Sequence, residues 1–523
     1  KRQSHDDAVL VDNRVHGMSS SGVSLAGPGA LITGGVYFDN SYGLYLTGSD
    51  NLVQGLEVFG NSQYGVYVNG AGSEVLDSEV HDNTAGGIDA GNNIRVADNT
   101  VYGHRDSGDT GIRISGAGAL AENNVVYDNF NGLSANSDAR AIGNRSYGNE
   151  VGIVAGAFAG RVLGNSVYSN NTGIYVAGYS TYDSLVQNNL VYANTTQSIE
   201  IDDGAGHSLI NNTIYQAVAD ASAAVVITNT AANVKLVNNL FWVDQGGIVS
   251  VASGSTTGFN SDYNLFYRTN LSTIGDWAGA VITDLAGWQV SAGTDANSIE
   301  VVDSQENIRA WFMDIEGADN TMGQDINDFS TDTGKDDNFG LRPYAPGIDA
   351  ANSYEAPFED ILGRPRVDDV STADTGTGWE LFQETDIGPI EFVETGTGQN
   401  WRSNNSYWTY TFQDGFTFTF YGETYSSVQV SSNGFLHFAG PDNPYGGDNT
   451  TEELQRNVRI APLWDNLNTY SPGDIYIDTS IVVETVRGVK IRWAGENDSN
   501  DEPVNFSVTL FEDGSFQFDY GSG

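Results

Sequence analysis

The apolar positions of this chain follow neither a helical period nor long alternating runs; they come in short triplets set about twenty residues apart. The unit is clearest at Gly164-Asn165-Ser166-Val167-Tyr168-Ser169-Asn170, which leads to Gly173-Ile174-Tyr175-Val176. It returns as Asn188-Asn189-Leu190-Val191-Tyr192-Ala193-Asn194, and as Gly143-Asn144-Arg145-Ser146-Tyr147-Gly148-Asn149 before Gly152-Ile153. Its aromatic slot reads His16, Tyr37, Phe59, His81, Tyr102, Tyr127, Tyr147, Tyr168, Tyr192, Tyr215, Trp242 and Tyr267, at separations of 20 to 27 residues. Brief strands at that period, joined by Asn/Gly corners, predict a coil of stacked parallel strands with about twelve turns. One Asn column runs Asn99, Asn124, Asn144, Asn165, Asn189, Asn212, Asn239 and Asn264. Asn tolerates left-handed corners, and its amide can bond the equivalent amide one turn on. Two residues after each rung, Val80, Val101, Val126, Val167, Val191 and Ile214 are expected to point inward. The aromatic slot is expected to be a structural stacking ladder, His16 and His81 included.

These phrases resemble the parallel β-helix repeat family, the pectate-lyase-like superfold, across roughly residues 10–270. The expected fold is all-β: a right-handed parallel β-helix solenoid over residues 1–270. Leucine-rich repeats share the period but need a Leu lattice that is absent. After Tyr267 the period dissolves. Within residues 271–395, Phe339-Gly340-Leu341-Arg342-Pro343 leads to Ala345-Pro346-Gly347-Ile348-Asp349-Ala350, and Asp360-Ile361-Leu362-Gly363-Arg364-Pro365-Arg366 leads to Asp386-Ile387-Gly388. They resemble the closing segment of secreted bacterial β-helix proteins. The resemblance implies a continuation of the coil and a capping region over its open end, where strand edges need a cover. Residues 396–523 alternate in and out, as in Val428-Gln429-Val430, with turns at Asn433-Gly434 and Asp513-Gly514. This stretch resembles the nidogen-like domain of extracellular proteins, which implies an antiparallel β-sandwich-like domain and matrix or surface interaction.

Charge narrows the partners. Lys and Arg number 22 against 68 Asp and Glu, a net −46. Nucleic acid and a bare anionic membrane both need clustered cations, so neither fits. Such a surface needs salt or divalent cations around it, which makes Ca²⁺ the expected ion and an extracellular medium the expected setting. No residue set is assigned to a metal: Asp325-Ile326-Asn327-Asp328 lacks the spacing of an EF-hand loop and reads as a solvated turn. There is no Cys, hence no disulfide or thiolate site. No apolar run reaches the ~18 residues of a membrane span. The chain opens on Lys1-Arg2 without a signal-like stretch, so it reads as processed or cut from a longer product. The expected location is secreted, extracellular or cell surface; self-assembly stays an open route.

Chemistry would sit where β-helix enzymes place it, in a groove along one sheet. The Gly-Ile-x-Val phrases give that sheet's outward column as Ser24, Tyr45, Tyr67, Asp89, Arg113, Ser134, Val154, Tyr175 and Glu200. Turns lie about 4.8 Å apart, so Tyr67, Asp89 and Arg113 should be neighbours, with Arg113 paired to Asp89. Rings to stack on sugar faces beside charges that orient hydroxyls suit a glycan groove. The insertion His104-Arg105-Asp106-Ser107-Gly108-Asp109 is expected to fold over it. The candidate catalytic set is therefore Asp89, Arg113, His104 and Arg105, and the candidate substrate-binding set Tyr45, Tyr67, Tyr175 and Glu200. Family signatures are missing: polygalacturonase phrases are not assembled, although Gly111-Ile112-Arg113-Ile114 resembles their substrate-binding arginine. Lys235 is the one lysine within the repeats at 10–270, so a lyase would need an arginine base, Arg113 or Arg105. A C5-epimerase cluster is permitted by residue type alone. The leading expectation is a surface scaffold and adhesion protein that meets glycan or matrix; the alternative is a lyase, C5-epimerase or hydrolase acting on polysaccharide.

Overall fold

Three short parallel strands per turn carry the coil in the computed structural model, and they pair like to like between turns. Val101 pairs with Val80 and Val126, and Tyr102 with His81 and Tyr127. The result is a parallel β-helix of about 12 turns. The structure describes residues 6–156, 158–179, 182–303, 309, 311–342, 345–366, 375–378, 385–392, 396–439, 452, 456–470, 473–479, 481–483, 486–497 and 503–520.

The repeat makes this shape for local reasons. Corner residues Asp77, Asp98, Asn123, Asn188, Asn211 and Asn238 take left-handed backbone, φ 47° to 59°, which Asn and Asp tolerate best after Gly. Val58, Val80, Val101, Val126, Val167 and Val191 form one inward column with no exposed surface. Each such valine contributes roughly 1.5–3 kcal/mol by leaving water. Ser146 interrupts the column and satisfies its hydroxyl by donating to Gly152 O at 2.8 Å. The first strand row begins at glycines because turns touch there: a Cβ on Gly87 would lie 2.4 Å from Gly111 O.

Asparagine forms two internal ladders. In the expected one, Asn99 Nδ2 donates to Asn124 Oδ1 at 3.0 Å, and the pattern continues through Asn144, Asn165, Asn189, Asn212 and Asn239 to Asn264. A second, unforeseen ladder runs Asn40, Asn61, Asn83, His104, Asn129, Asn149, Asn170, Asn194. The asparagine rungs also donate to a backbone carbonyl of the preceding turn, and some, such as Asn99, to one of their own turn as well, so the buried amides are satisfied.

The aromatic slot is a stack of near-parallel rings: His16, Phe38, Phe59, His81, Tyr102, Tyr127, Tyr147, Tyr168 and Tyr192, with centroids 4.8 to 5.1 Å apart. Tyr37 does not belong to it. Phe38 pairs with His16 and Phe59, while Tyr37 pairs with Val15 and Val58 and points inward without exposed surface. Beyond Tyr192 the parallel geometry gives way: Tyr215 and Trp242 are tilted by 41°, and Trp242 meets Tyr267 edge-on.

The end cap is smaller than the sequence suggested. Helix Leu285–Ala292 starts on Asp284, whose carboxylate accepts from Gly287 N, and stops at Gly293, φ 73°. Its Leu285 and Trp288 join the coil's core, with Phe259 and Trp277 edge-on to Trp288. The segments at 311–340, 349–366 and 385–391 instead run back along the side of the coil. Asn188, Asn211 and Asn238, three successive corners, donate to the carbonyls of Glu359, of Asp386 and Gly388, and of Asn352. The two closing phrases meet there: Asp349 N donates to Asp386 Oδ1 at 3.0 Å, and Arg366 pairs with Glu391 at 2.8 Å. Pro343 lies outside the described residues. Upstream, Phe329 stacks on Tyr127 and Tyr147, and Tyr168 donates to Asp332 at 2.5 Å. Corner amides and the aromatic ladder on the coil's flank supply this strap with its partners.

The chain divides into two compact units, one made of residues 1–340, 349–367 and 375–391, the other of 341–348, 368–374 and 392–523. The second is an antiparallel β-sandwich. A four-stranded sheet, whose strands include Tyr407–Thr411 and Ser427–Ser431, shares one core with a larger sheet built on Val486–Asn497 and Pro503–Phe511. Trp493 fills the centre and donates to Ser431 O at 2.7 Å across the layers.

Candidate functional site

The outward column is in register as its sequence spacing implied. Ser24 pairs with Tyr45, Tyr45 with Tyr67, Tyr67 with Asp89 and Asp89 with Arg113; then come Ser134, Val154, Tyr175 and Glu200. Strands Val66–Val68, Ile88–Ala90 and Thr110–Ser115 hold Tyr67, Asp89 and Arg113 on one face, because flanking apolar residues take the inward positions.

Asp89 and Arg113 form a two-pronged ion pair: Nε donates to Oδ1 at 3.0 Å and Nη2 to Oδ2 at 2.5 Å. Asp89 is 7% exposed, so its charge is balanced at the groove floor rather than offered to water. The hydrogen bonds it donates to Asp89 raise the already high pKa of Arg113 further. Arg113 Cζ also lies 5.5 Å from the centre of the Tyr64 ring. Tyr45 and Tyr67 stack at 4.8 Å and 10°, and Tyr42 stands edge-on to both. Burial pushes the Tyr64 and Tyr67 hydroxyls up, an effect Arg113 only partly offsets, so both phenols stay protonated at neutral pH. Beside them opens a cavity of about 460 Å³, lined by Tyr67, Asn69, Asp89, Asn92, Arg113 and Asn136 among others.

Two expected members are elsewhere. His104 is 1% exposed and serves as a rung of the second Asn ladder. Asn83 Nδ2 donates to its Nε2 at 3.3 Å, and its Nδ1 donates to Asn129 Oδ1 at 2.8 Å. Burial lowers its pKa to about 4, so it is neutral and reaches no groove. Arg105 is turned to Asp128, which takes both its Nε and Nη2. Of the insertion, Asp109 lies close enough to Tyr64 to raise its pKa, while the His and Arg do not join the site. Tyr175 and Glu200 do share the column, farther along it. Tyr175 donates to Asp202 at 2.6 Å, and Glu200 accepts from Gln197 at 2.5 Å while burial pushes its carboxyl up.

Tyr42 and Tyr64 were missed, although a signal existed: Tyr42-Gly43-Leu44-Tyr45 and Tyr64-Gly65-Val66-Tyr67 are one phrase on successive turns. Among the described residues no group of three or more His, Asp or Glu side chains could hold a metal ion, and no helix is long and apolar enough to cross a membrane.

A family model described as right handed beta helix region matches residues 2–159 and 90–262, and one described as NIDO related matches residues 388–523. No curated protein matches the chain in sequence. Among solved structures, the A-module of a mannuronan C-5 epimerase from Azotobacter vinelandii is 15% identical, covering 57% of this chain and 90% of its own, with a TM-score of 0.34. A mutant periplasmic alginate epimerase is 14% identical over 47% and 74%, with a TM-score of 0.26.

Proposed function

We propose, for a chain that joins a right-handed β-helix region to a NIDO-related domain, the role of an extracellular or cell-surface scaffold that binds glycan through the groove at Tyr67, Asp89 and Arg113. One observation carries the reading: the groove's carboxylate is committed to Arg113 on both oxygens, beside stacked tyrosines. That arrangement suits holding a sugar, with rings for its apolar face and a charge pair that both accepts from and donates to hydroxyls. It does not suit proton transfer. The nearby phenols stay protonated, and His104, the histidine of the candidate catalytic set, is sealed in the ladder.

The test is a glycan array probed with the full chain, its Tyr67→Ala and Arg113→Ala variants, and assays for new reducing ends and unsaturated product. Binding that falls about tenfold or more in either variant, without turnover, is expected. Turnover lost with Arg113 would replace the scaffold by the lyase, epimerase or hydrolase alternative. Binding indifferent to both variants would remove the groove.

A further inference from the structure

The groove has a continuation that the outward column does not contain. Phe158, Tyr179 and Tyr182 are 38%, 57% and 47% exposed, yet they gather into one cluster. The Phe158 ring lies 5.2 Å from each of the two tyrosines, tilted to one and edge-on to the other. Tyr179 and Tyr182 are held together by a backbone bridge in which Tyr182 N donates to Tyr179 O. These rings are no part of the stacking ladder, which lies on another strand row. Large apolar rings left in water at neighbouring corners mark a surface that meets something.

Their place identifies what they meet. Gly91 and Asn92, which line the groove, follow strand Ile88–Ala90; Phe158 follows Val151–Ala155 and Tyr179 follows Thr172–Ala177 in the same row. The two sites touch: Phe158 N donates to Oδ1 of Asn136, itself a groove-lining residue, at 3.2 Å. Five register steps separate Tyr67 from Tyr175, through Asp89, Arg113, Ser134 and Val154. At ~4.8 Å per turn that is about 24 Å, more than one sugar ring spans. The charges on this edge are closed on themselves. Arg113 is taken by Asp89, and Arg161, on the strand after Phe158, is shared by Asp138 at 3.1 Å and Asp183 at 3.4 Å. With a net charge of −46, the chain gives a polyanion no purchase here.

We infer that Phe158, Tyr179 and Tyr182 form a second aromatic subsite, and that the ligand is an extended, uncharged polysaccharide laid along the coil from Tyr45 and Tyr67 to this cluster. The inference rests on the glycan-binding reading above and adds to it the length and charge of the ligand.

The experiment measures binding of the full chain to a soluble galactomannan, to a mixed-linkage β-glucan, to short oligosaccharides of each, and to polygalacturonate, at low and physiological salt. The double variant Tyr179→Ala/Tyr182→Ala should weaken polysaccharide binding about tenfold, leave oligosaccharide binding at the Tyr67 groove unchanged, and keep the melting curve, since both rings are exposed. A tighter, salt-sensitive complex with polygalacturonate would overturn the inference, as would polysaccharide binding that ignores the double variant while still needing Tyr67. In that last case the groove stands and the second subsite falls. If neither the chain nor its variants hold any of these glycans, both go.

Discussion

The aromatic ladder lives in two environments. From Phe38 to Tyr102 its rings are half-buried along an open flank, whereas Tyr147, Tyr168 and Tyr192 are at most 2% exposed beneath the strap. The ring spacing hardly changes: 4.8 Å from Tyr102 to Tyr127 and 5.1 Å from Tyr147 to Tyr168. Stacking is therefore fixed by the turn-to-turn register, and the strap exploits a ladder that the coil already makes. It does so by lying flat. Gly334 rests on the Tyr168 ring so closely that a Cβ would come within 2.4 Å of it, and Tyr192 donates to Gly334 O at 3.2 Å.

The comparison is broken or kept most directly by truncation. Tyr168→Ala should cost about 3–5 kcal/mol in urea unfolding, because it opens a cavity under the strap and removes a hydrogen bond to Asp332, which keeps its ion pair with Arg145. Tyr102→Ala, in the open flank, should cost only about 1 kcal/mol, the value of a stacking contact. Equal losses would mean that burial by the strap adds nothing.

Protonation sharpens the contrast next. His104 lies inside the open stretch with its pKa lowered from 6.5 to about 4 by burial. A depressed histidine favours the fold above its unfolded pKa and loses that contribution as pH falls, here from about 6.5 to about 4. The loss is on the order of 3 kcal/mol, and His104→Asn, which restores the usual rung, should abolish it. A variant that keeps the same acid slope would show that the histidine is not its source. A second titration, opposite in sign, belongs to the strap. Burial raises the Asp337 carboxyl to about 7, and Gly323 N donates to it at 2.7 Å. A raised carboxyl contributes fully below its ordinary 3.8 and loses that contribution as pH climbs through about 7. Hydrogen exchange across residues 323–340 should quicken between about pH 4 and 7 beyond the intrinsic rate, and Asp337→Asn should flatten that excess. The two stretches thus respond to pH in opposite directions across the same window, one loosening as pH falls and the other as it rises.

What the sequence reveals and conceals follows the same division. Register within the coil is local: Gly87-Ile88-Asp89-Ala90 and Gly111-Ile112-Arg113-Ile114 begin alike, so the Asp89–Arg113 pair could be read from spacing. Tyr37 misled because Phe38 is its neighbour and both are aromatic; only the inward demand of Val15 and Val58 decides between them. His104 misled for a chemical reason. A histidine beside arginine and aspartate resembles a reaction centre, but imidazole can also replace an Asn amide as both donor and acceptor in a ladder. The strap was hidden because its contacts, such as Tyr168 to Asp332 across 164 residues, leave no periodic trace. The tyrosine–phenylalanine corner cluster was hidden likewise, since Phe158 and Tyr182 belong to loops of unequal length.

The paired asparagine ladders also govern how such a molecule can change in length. Every asparagine rung offers the next turn the same amide and carbonyl that it receives from the last, and His104 stands in for one of them, so a complete turn can be duplicated or excised and the break heals on matching partners. A fraction of a turn cannot, because it would set amide against valine along both ladders. The coil is thus a ruler graduated in whole turns, and the distance between its two aromatic platforms is counted in indivisible units. Inserting one complete turn between Arg113 and Phe158 would lengthen the span by about 4.8 Å and leave each platform intact.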